Sequence, residues 1–271
     1  MMRRASLVIG GTLVALTVLA GLLSLVWTPF DPIGVDPSSA LQPPGGAHLL
    51  GTDQLGSDVF SRLLTGAQIC LVVGVVSVAI AAVVGIPLGM LAGMLPGRLS
   101  RLIIRVTDIL YAFPAVLLAI LLAAVLGGST LTGLIAIGIS SVPVFARITR
   151  AGVLQVMSQD HITAARVAGI GWFTIARRHV LPNVAPLLGV QASVSFAMAV
   201  LAEAALSYLG LGTQPPTPTW GRMLYEARVL LFSHPGLALW PAAAIAVAVL
   251  GFNLLGDGLR DLLDPRLQEV R

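Results

Sequence analysis

The chain has 271 residues, of which 56% are hydrophobic and 10% are charged, and its mean hydropathy is +0.94. A soluble domain carries roughly 25% charged residues, so this composition indicates an integral membrane protein in contact with the lipid bilayer. All sixteen basic residues are Arg, so the Lys of a Walker A sequence is missing and the chain cannot be a P-loop ATPase. The formal charge of +4 does not indicate nucleic-acid binding, because the Arg residues flank apolar runs and form no dense patch.

Six apolar stretches are long enough, or nearly so, to cross a hydrocarbon core about 30 Å thick, which requires about 20 residues. The sequence therefore predicts an all-α integral membrane protein with six transmembrane helices. The first stretch follows two Arg residues as a signal peptide would, but it is too long for a signal-peptide core, and no small-residue cleavage site follows. It is expected to remain attached as an anchor. The predicted spans are Leu7–Trp27, Leu71–Met94, Val106–Leu126, Leu131–Ala146, Leu187–Tyr208 and Pro235–Leu255.

The distribution of Arg predicts the orientation of these spans. If both termini are cytoplasmic, thirteen of the sixteen Arg residues lie on the cytoplasmic side, and only Arg62, Arg222 and Arg228 lie outside. The positive-inside rule favours this arrangement. The predicted divisions are a tip and first anchor (1–27), an extracytoplasmic loop (28–66), a five-span core (67–257) containing a cytoplasmic loop (160–183), and a cytoplasmic tail (258–271).

Small residues recur at helical spacing within two of the predicted spans. Gly85, Gly89 and Gly93 form one row in the second span, and three Ala residues form another in the third. Such rows allow helix backbones to approach closely in lipid, where association relies on packing. We expect the Gly row to be a helix contact.

The loop 160–183 is a polar, Arg-bearing segment between long apolar runs. Loops between membrane helices are short unless they have a function, so this loop is predicted to contact a soluble partner. Asp160 is suited to cap a first helix, Gly169 to end it, and Leu181-Pro182 to end a second helix. A helix-break-helix of this kind fits a partner's groove or lies along a membrane surface.

This loop resembles the EAA loop of permease subunits in bacterial ABC importers. Thr163-Ala164-Ala165 stands at the Glu-Ala-Ala position, with Thr163 in place of the family's Glu, and Gly169 and Leu181-Pro182 follow in order. Further segments resemble the C-type permease of the dipeptide, oligopeptide and nickel importer group. They are LGTDQLGSD at 50–58, RVTD at 105–108 with Phe113-Pro114, EAALSYLGLG at 203–212 and NLLGDGLRDLLDPR at 253–266.

The resemblance implies the type I ABC importer permease fold in a bacterial inner membrane. It implies one half of a pathway for di- or oligopeptides, completed by a second homologous permease, two nucleotide-binding ATPase subunits or domains, and an extracytoplasmic substrate-binding protein. ATP and Mg belong to those partners, and this chain is expected to hold no cofactor and to catalyse no reaction. The residues expected to couple ATP hydrolysis to transport are Asp160, Thr163, Ala164, Ala165, Arg166, Gly169, His179, Leu181 and Pro182.

Two carboxylates within predicted spans are candidate pathway or gate residues. Glu203 must face protein or water, because an ionised carboxylate in lipid is costly; it either accepts a hydrogen bond from a neighbouring helix or lines the pathway. Asp108 follows Arg105 at a spacing that allows a local ion pair, which favours a structural role. The four His residues show no metal-ligand spacing, so no metal site and no catalytic constellation are predicted.

Several alternatives remain open on the sequence alone. The substrate is either a peptide or, within the same family, nickel, glutathione or another small solute. A self-sufficient secondary transporter or channel is expected to carry an internal repeat, paired broken helices or a relay of buried charges. A membrane scaffold without transport activity is a further alternative, which co-purification with ATPase subunits would exclude.

Overall fold

A computed structural model describes residues 2–263, and within this range the chain forms ten α-helices and no β-strand. Of the predicted tail 258–271, residues 264–271 lie outside the described range. A 3₁₀ turn at Pro37–Ser39 lies in the outer loop, a π turn at Ala176–Val180 precedes α8, and a 3₁₀ turn at Arg228–Leu230 follows α9. The helices are α1 Met2–Leu23, α2 Val59–Met94, α3 Arg98–Ala112, α4 Ala115–Leu126, α5 Thr130–Met157, α6 Asp160–Val167, α7 Trp172–Ile175, α8 Leu181–Tyr208, α9 Trp220–Ala227 and α10 Gly236–Leu263.

Five helices in the described range are long and apolar enough to cross a membrane, and α3 with α4 makes a sixth if that pair is counted as one span. The five are α1, α2, α5, the stretch Trp172–Tyr208 that ends with α8, and α10. The prediction of one continuous span at Val106–Leu126 is wrong, because α3 and α4 meet at an angle of 84°. Pro114 causes the break, since it has no N–H to donate and keeps Phe113 out of the helical conformation.

Other helices also extend beyond their predicted limits. α2 begins at Val59, inside the predicted outer loop 28–66, because the Asp58 carboxylate caps it by accepting from the Ser61 N–H at 2.8 Å. α5 continues past Ala146 to Met157, and α10 continues past Leu255 to Leu263. Hydropathy marks the lipid-crossing part of a helix, whereas these extra turns pack against protein outside it.

The contact between α2 and α5 lies at the centre of the bundle, and the predicted Gly row forms it. A Cβ atom at Gly85 would lie 2.6 Å from Phe145 Cβ and 2.7 Å from the Val142 carbonyl oxygen. Gly89 and Gly93 meet the next turns of α5 in the same way. The helices therefore touch through backbone, as the sequence predicts. In the Ala row of α4, Ala119 and Ala123 are buried, and Ala115 is exposed.

Three apolar clusters surround this central contact. The first joins α2, α8, α9 and α10, contains the buried thiol of Cys70, and includes Phe196 stacked on Phe252 with ring centroids 3.8 Å apart. The second joins the loop 160–183 to the ends of α2, α5 and α8 that lie nearest to it, here called their inner ends. The third joins α4 to α5 and α8. The first anchor, α1, packs against α10.

We predict that Gly85→Ala lowers the thermal unfolding midpoint of the purified transporter. The new methyl group would meet the Phe145 Cβ and a backbone oxygen, which cannot rotate away, and overpacking of this kind costs about 1–3 kcal/mol. Gly11→Ala is the matched control, because a Cβ there meets nothing within 4 Å. Equal midpoints for the two variants would contradict the packing assigned to α2 and α5.

Candidate functional site

Residues 160–183, here called the coupling segment after the role that the resemblance implies, begin with α6. The end of α6 is a Schellman motif, in which the Ile170 N–H donates to the Ala165 carbonyl and the Gly169 N–H to the Arg166 carbonyl, each at 3.0 Å. Gly169 has a φ of +77°, a left-handed conformation that is costly for any residue with a Cβ. The prediction that Gly169 ends the first helix is confirmed.

Asp160 does not have its predicted place as the N-cap. Gln159 occupies the N-cap position, with extended backbone and no capping hydrogen bond from its side chain, and Asp160 is the first helical residue. The turn in which the Gln159 N–H donates to the Val156 carbonyl at 3.1 Å places the helix start there. The Asp160 carboxylate still lies in the first turn, where negative charge interacts favourably with the helix dipole.

The second half of the segment contains a further correction. The helix does not stop at Leu181-Pro182, because α7 continues through the π turn Ala176–Val180 directly into α8. A Pro ring inside a regular helix collides with the carbonyl four residues earlier. Here the Leu181 N–H donates to the Ala176 carbonyl, five residues earlier, and the wider turn leaves room for Pro182 in the first turn of α8.

An apolar plug fixes the coupling segment to the bundle. Ile162 of α6 and Val180 of the π turn have no exposed surface, and Ala165, Ile175 and Ala176 are buried with them. All of them except Ala165 belong to one cluster with the inner ends of α2, α5 and α8. A displacement of the segment must therefore displace those helix ends. The partners of the plug in α2 and α5 are Met94, Val153 and Val156.

The opposite face of the segment is exposed and combines apolar groups with positive charge. Val167 is 85% exposed, Trp172 55% and Phe173 67%, although all three are apolar. The Trp172 and Phe173 rings meet edge to face with centroids 6.3 Å apart. Three exposed Arg side chains lie along the same segment, and a partner groove with an apolar floor and an acidic rim would fit this surface. They are Arg166, Arg177 and Arg178.

Part of this exposed face was not predicted from the sequence. The structure buries Ile175 and Ala176 and exposes Trp172 together with Phe173. The buried positions 162, 165 and 175 define the inward face. At 3.6-residue spacing, Val167 lies opposite positions 162 and 165 within α6, and Phe173 lies opposite Ile175 within α7, and these positions were the signal available in the sequence.

The remaining predicted coupling residues divide between the two faces. Thr163, Ala164 and Arg166 are exposed on α6, and Ala165 is buried. Leu181 and Pro182 are exposed where the segment joins α8. The His179 ring is half-buried, with its centroid 5.9 Å from that of His161. Within residues 2–263 no group of three or more side chains is arranged to hold a metal ion.

An open groove of about 530 Å³ lies beside the coupling segment, between the inner ends of α5, α8 and α10. Gln155 of α5, Gln159 at the start of α6, Asn183 of α8 and Arg260 of α10 line it. Apolar side chains, among them Leu187, alternate with these polar groups. The groove is therefore lined by both polar and apolar side chains.

A buried charge network holds the opposite end of the molecule together. The Arg62 guanidinium on α2 donates to Asp53 in the outer loop and to Glu226 on α9, the latter at 2.8 Å. Arg222 donates to the same Glu226 at 2.8 Å. Because Arg62 is only 7% exposed, its two carboxylate partners offset the loss of hydration. The network ties the loop, α2 and α9 into one body.

Neighbouring contacts reinforce this outer body. His48 lies 2.9 Å from the Asp58 carboxylate that caps α2, and the Trp220 indole N–H donates to the Leu63 carbonyl at 3.0 Å. Earlier in the same loop, hydrogen bonds from the Ser38 and Ser39 side chains lower the pKa of Asp36. The segment LGTDQLGSD contributes Asp53 and Asp58 to these contacts, and the α2 residues that follow it contribute Arg62 and the Leu63 carbonyl.

The two candidate pathway carboxylates lie in different surroundings. Glu203 is buried in α8, where the Ser207 hydroxyl one turn later donates to it at 2.7 Å. Asp108 is half-exposed and pairs with Arg147 of α5 at 2.9 Å, so the predicted local pair with Arg105 is wrong. The fold brings α5 against α3, which supplies a partner that spacing along one helix does not reveal. A pathway role for either residue remains a prediction.

Residues 85–269 match the family described as binding-protein-dependent transport system inner membrane component. The chain belongs to this family. The permease is 45% identical over 270 residues to the di/tripeptide transport system permease protein DppC of Pseudomonas aeruginosa, which covers 97% of this chain and 89% of that protein. It is 40% identical over 262 residues to the dipeptide permease DppC of Alkalihalophilus pseudofirmus, covering 96% of this chain and 86% of that protein. It is 47% identical over 225 residues to the glutathione permease GsiD of Escherichia coli O157:H7, covering 83% of this chain and 74% of that protein.

Among solved structures, an inward-facing form of the MetNI methionine ABC transporter matches with a TM-score of 0.64 and 19% identity, over 75% of this chain and 96% of that one. This similarity establishes the fold, which is the type I ABC importer permease fold. The permease is therefore a multi-pass inner-membrane subunit of an ABC importer. The expectations drawn from the EAA-like loop and the four other motifs, for both family and fold, are confirmed.

We predict that Arg62→Gln loosens the outer loop of the permease. Glutamine cannot neutralise both Asp53 and Glu226, and removing one member of a buried charge network costs about 3–5 kcal/mol. Cleavage of residues 28–58 by added protease should accelerate in the purified transporter. The control is Arg222→Gln, whose partly exposed pair with Glu226 is worth about 0–1 kcal/mol. If the two variants are cleaved equally fast, Arg62 does not hold the loop.

Proposed function

We propose that this permease forms one half of the translocation pathway of an ATP-driven importer for di- or tripeptides. The other half is a second homologous permease, and two nucleotide-binding ATPase subunits or domains bind the cytoplasmic face. An extracytoplasmic substrate-binding protein delivers the peptide. The observation that carries the proposal is the coupling segment, which exposes an apolar and cationic face and packs its other face against the inner ends of α2, α5 and α8.

The mechanism follows from this construction. ATP and Mg²⁺ are bound by the partner subunits, and closure of those subunits moves whatever is docked on them. A docked coupling segment then carries the inner ends of α2 and α5 with it through the plug. Because α2 and α5 touch through backbone along the Gly row, they move as one unit, and the bundle alternates between two packings. No residue of the permease needs to act as a catalyst in this scheme.

The outer body gives the opposite face a defined shape. Arg62 and its two carboxylates fix the loop against α2 and α9, so the substrate-binding protein meets a preformed surface instead of an unanchored linker. This assignment rests on the orientation with cytoplasmic termini, which the distribution of Arg favours. Asp108 stabilises the contact of α3 with α5 through Arg147 and does not contact the substrate in this scheme.

Relatives of this chain favour a peptide as the substrate. Two of the proteins reported above are named as dipeptide or di/tripeptide permeases and align over nearly the whole chain. Glutathione is the second candidate, because the permease GsiD is 47% identical over a shorter stretch. Membership of a binding-protein-dependent family favours an importer subunit over a self-sufficient secondary transporter or channel.

The proposal is tested by Gly169→Ala and its matched control Gly171→Ala in the assembled, reconstituted transporter. A Cβ meets nothing within 4 Å at either position, but only Gly169 has a positive φ, so only that substitution strains the backbone, by about 1–2 kcal/mol. Gly169→Ala is expected to lower ATP hydrolysis stimulated by the peptide-loaded binding protein. Gly171→Ala should retain it.

The same assay tests the substrate. Dipeptide, tripeptide, glutathione and Ni²⁺ are compared as the load of the binding protein, and di- or tripeptide is expected to give the stimulation. Stimulation by glutathione alone would make the second candidate correct. Equal stimulated hydrolysis in both Gly variants would contradict the role of the coupling segment, whichever substrate is transported.

A further inference from the structure

The helix α3 runs nearly perpendicular to α4, the helix that follows it. α4 packs against α5 and is joined to it by the short turn 127–129, whereas α3 meets α4 at 84°. α4 has 12 residues and is therefore about 18 Å long, too short to cross a hydrocarbon core of about 30 Å by itself. If α4 and α5 run along the membrane normal, α3 must run close to the membrane plane.

The depth of α3 follows from its ion pair with α5. The start of α5 is at the outer end of the bundle, where the Thr130 hydroxyl donates to that of Thr213 at 2.9 Å. Arg147 lies about 26 Å farther along α5 at 1.5 Å per residue. Its pair with Asp108, and the Arg147 guanidinium 4.4 Å from the Tyr111 ring centroid, therefore place the end of α3 near the inner boundary of the hydrocarbon core.

Three different surfaces run along α3. One faces the bundle, where the Ser100 hydroxyl donates to the Ala92 carbonyl at 2.7 Å. The second is an exposed apolar row whose members are 49–63% exposed. The third is an exposed basic row that lies beside the apolar row and, within residues 2–263, has no carboxylate at ion-pair distance. The apolar row is Leu99, Leu102, Val106, Ile109 and Phe113, and the basic row is Arg98, Arg101 and Arg105.

We propose that α3 lies in the interface of the inner leaflet and that its basic row binds the phosphate groups of acidic phospholipids. An in-plane amphipathic helix with Arg on its polar side and large aliphatic residues on the other is suited to this position. The planar guanidinium forms paired hydrogen bonds with phosphate, and the anionic leaflet surface attracts each charge. The apolar row then enters the acyl region beside the bundle.

The arrangement of the two rows favours lipid over a soluble partner. An acidic protein surface would satisfy the basic row, but it would leave the five apolar side chains of the neighbouring row facing water. A bilayer satisfies both rows at once, because headgroup phosphate and acyl chain are adjacent at the depth given by Asp108 and Arg147. The bilayer therefore accounts for every exposed residue of α3 named above.

The first test measures lipid retention by the complete transporter after detergent extraction from nanodiscs of phosphatidylcholine and phosphatidylglycerol. The variant R98Q/R101Q/R105Q is compared with R166Q/R177Q/R178Q, which removes the same charge from the coupling segment. Phosphatidylglycerol co-purifying with the transporter should fall by up to about fivefold for each Arg removed from α3 and should change little in the control. An equal loss in both variants would overturn the proposal.

The second test measures the depth of α3 in the same nanodiscs. Ile109→Cys is labelled with a fluorophore in a Cys70→Ala background, since Cys70 is buried. Quenching by acyl-chain nitroxide lipids and resistance to aqueous iodide are expected. Efficient quenching by iodide would show that the apolar row faces water, and protection from both quenchers would show that a protein subunit covers it. Either result contradicts the proposed position.

Discussion

The close contact of α2 with α5 is the constraint on which the rest of the permease depends. Lipid offers no hydrophobic drive for two helices to associate, so the contact relies on how closely their backbones approach. Gly85, Gly89 and Gly93 allow that approach along several turns. The inner ends of both helices are thereby held at fixed separation, and the plug of the coupling segment occupies the position that those ends create.

The two ends of the molecule are stabilised by different chemistry. At the outer end, Arg62 with its two carboxylates fixes a loop, and buried charges of this kind demand one geometry. At the inner end, the coupling segment is held by aliphatic side chains and presents Trp172 and Phe173 outward. A preformed surface at one end and an exposed docking surface at the other fit the proposed ATP-driven importer.

The sequence predicted the family, five of the six spans and the break at Gly169, because long apolar runs, Arg distribution and a left-handed helix end are local properties. It failed where the outcome depended on packing. Leu181-Pro182 ended no helix, since a π turn widened the backbone ahead of the Pro ring. Asp108 paired with Arg147 and not with Arg105, because the fold brings α5 alongside. The break at Pro114 was visible as a residue, but the apolar run from Val106 to Leu126 masked it. Glu203 was placed correctly in a span, and its Ser207 partner one turn away was overlooked.

The central claim is that the coupling segment and the inner half of α2 move as one body during the ATP cycle. Spin labels at Ala164 of α6 and at Val83, an exposed position of α2, report it directly in a Cys70→Ala background. Pulsed electron paramagnetic resonance would give the distance between the two spin labels in the complete transporter, with and without trapped ATP. The account predicts one narrow distance that is the same in both states. A distance that changes or broadens when ATP is trapped would contradict it.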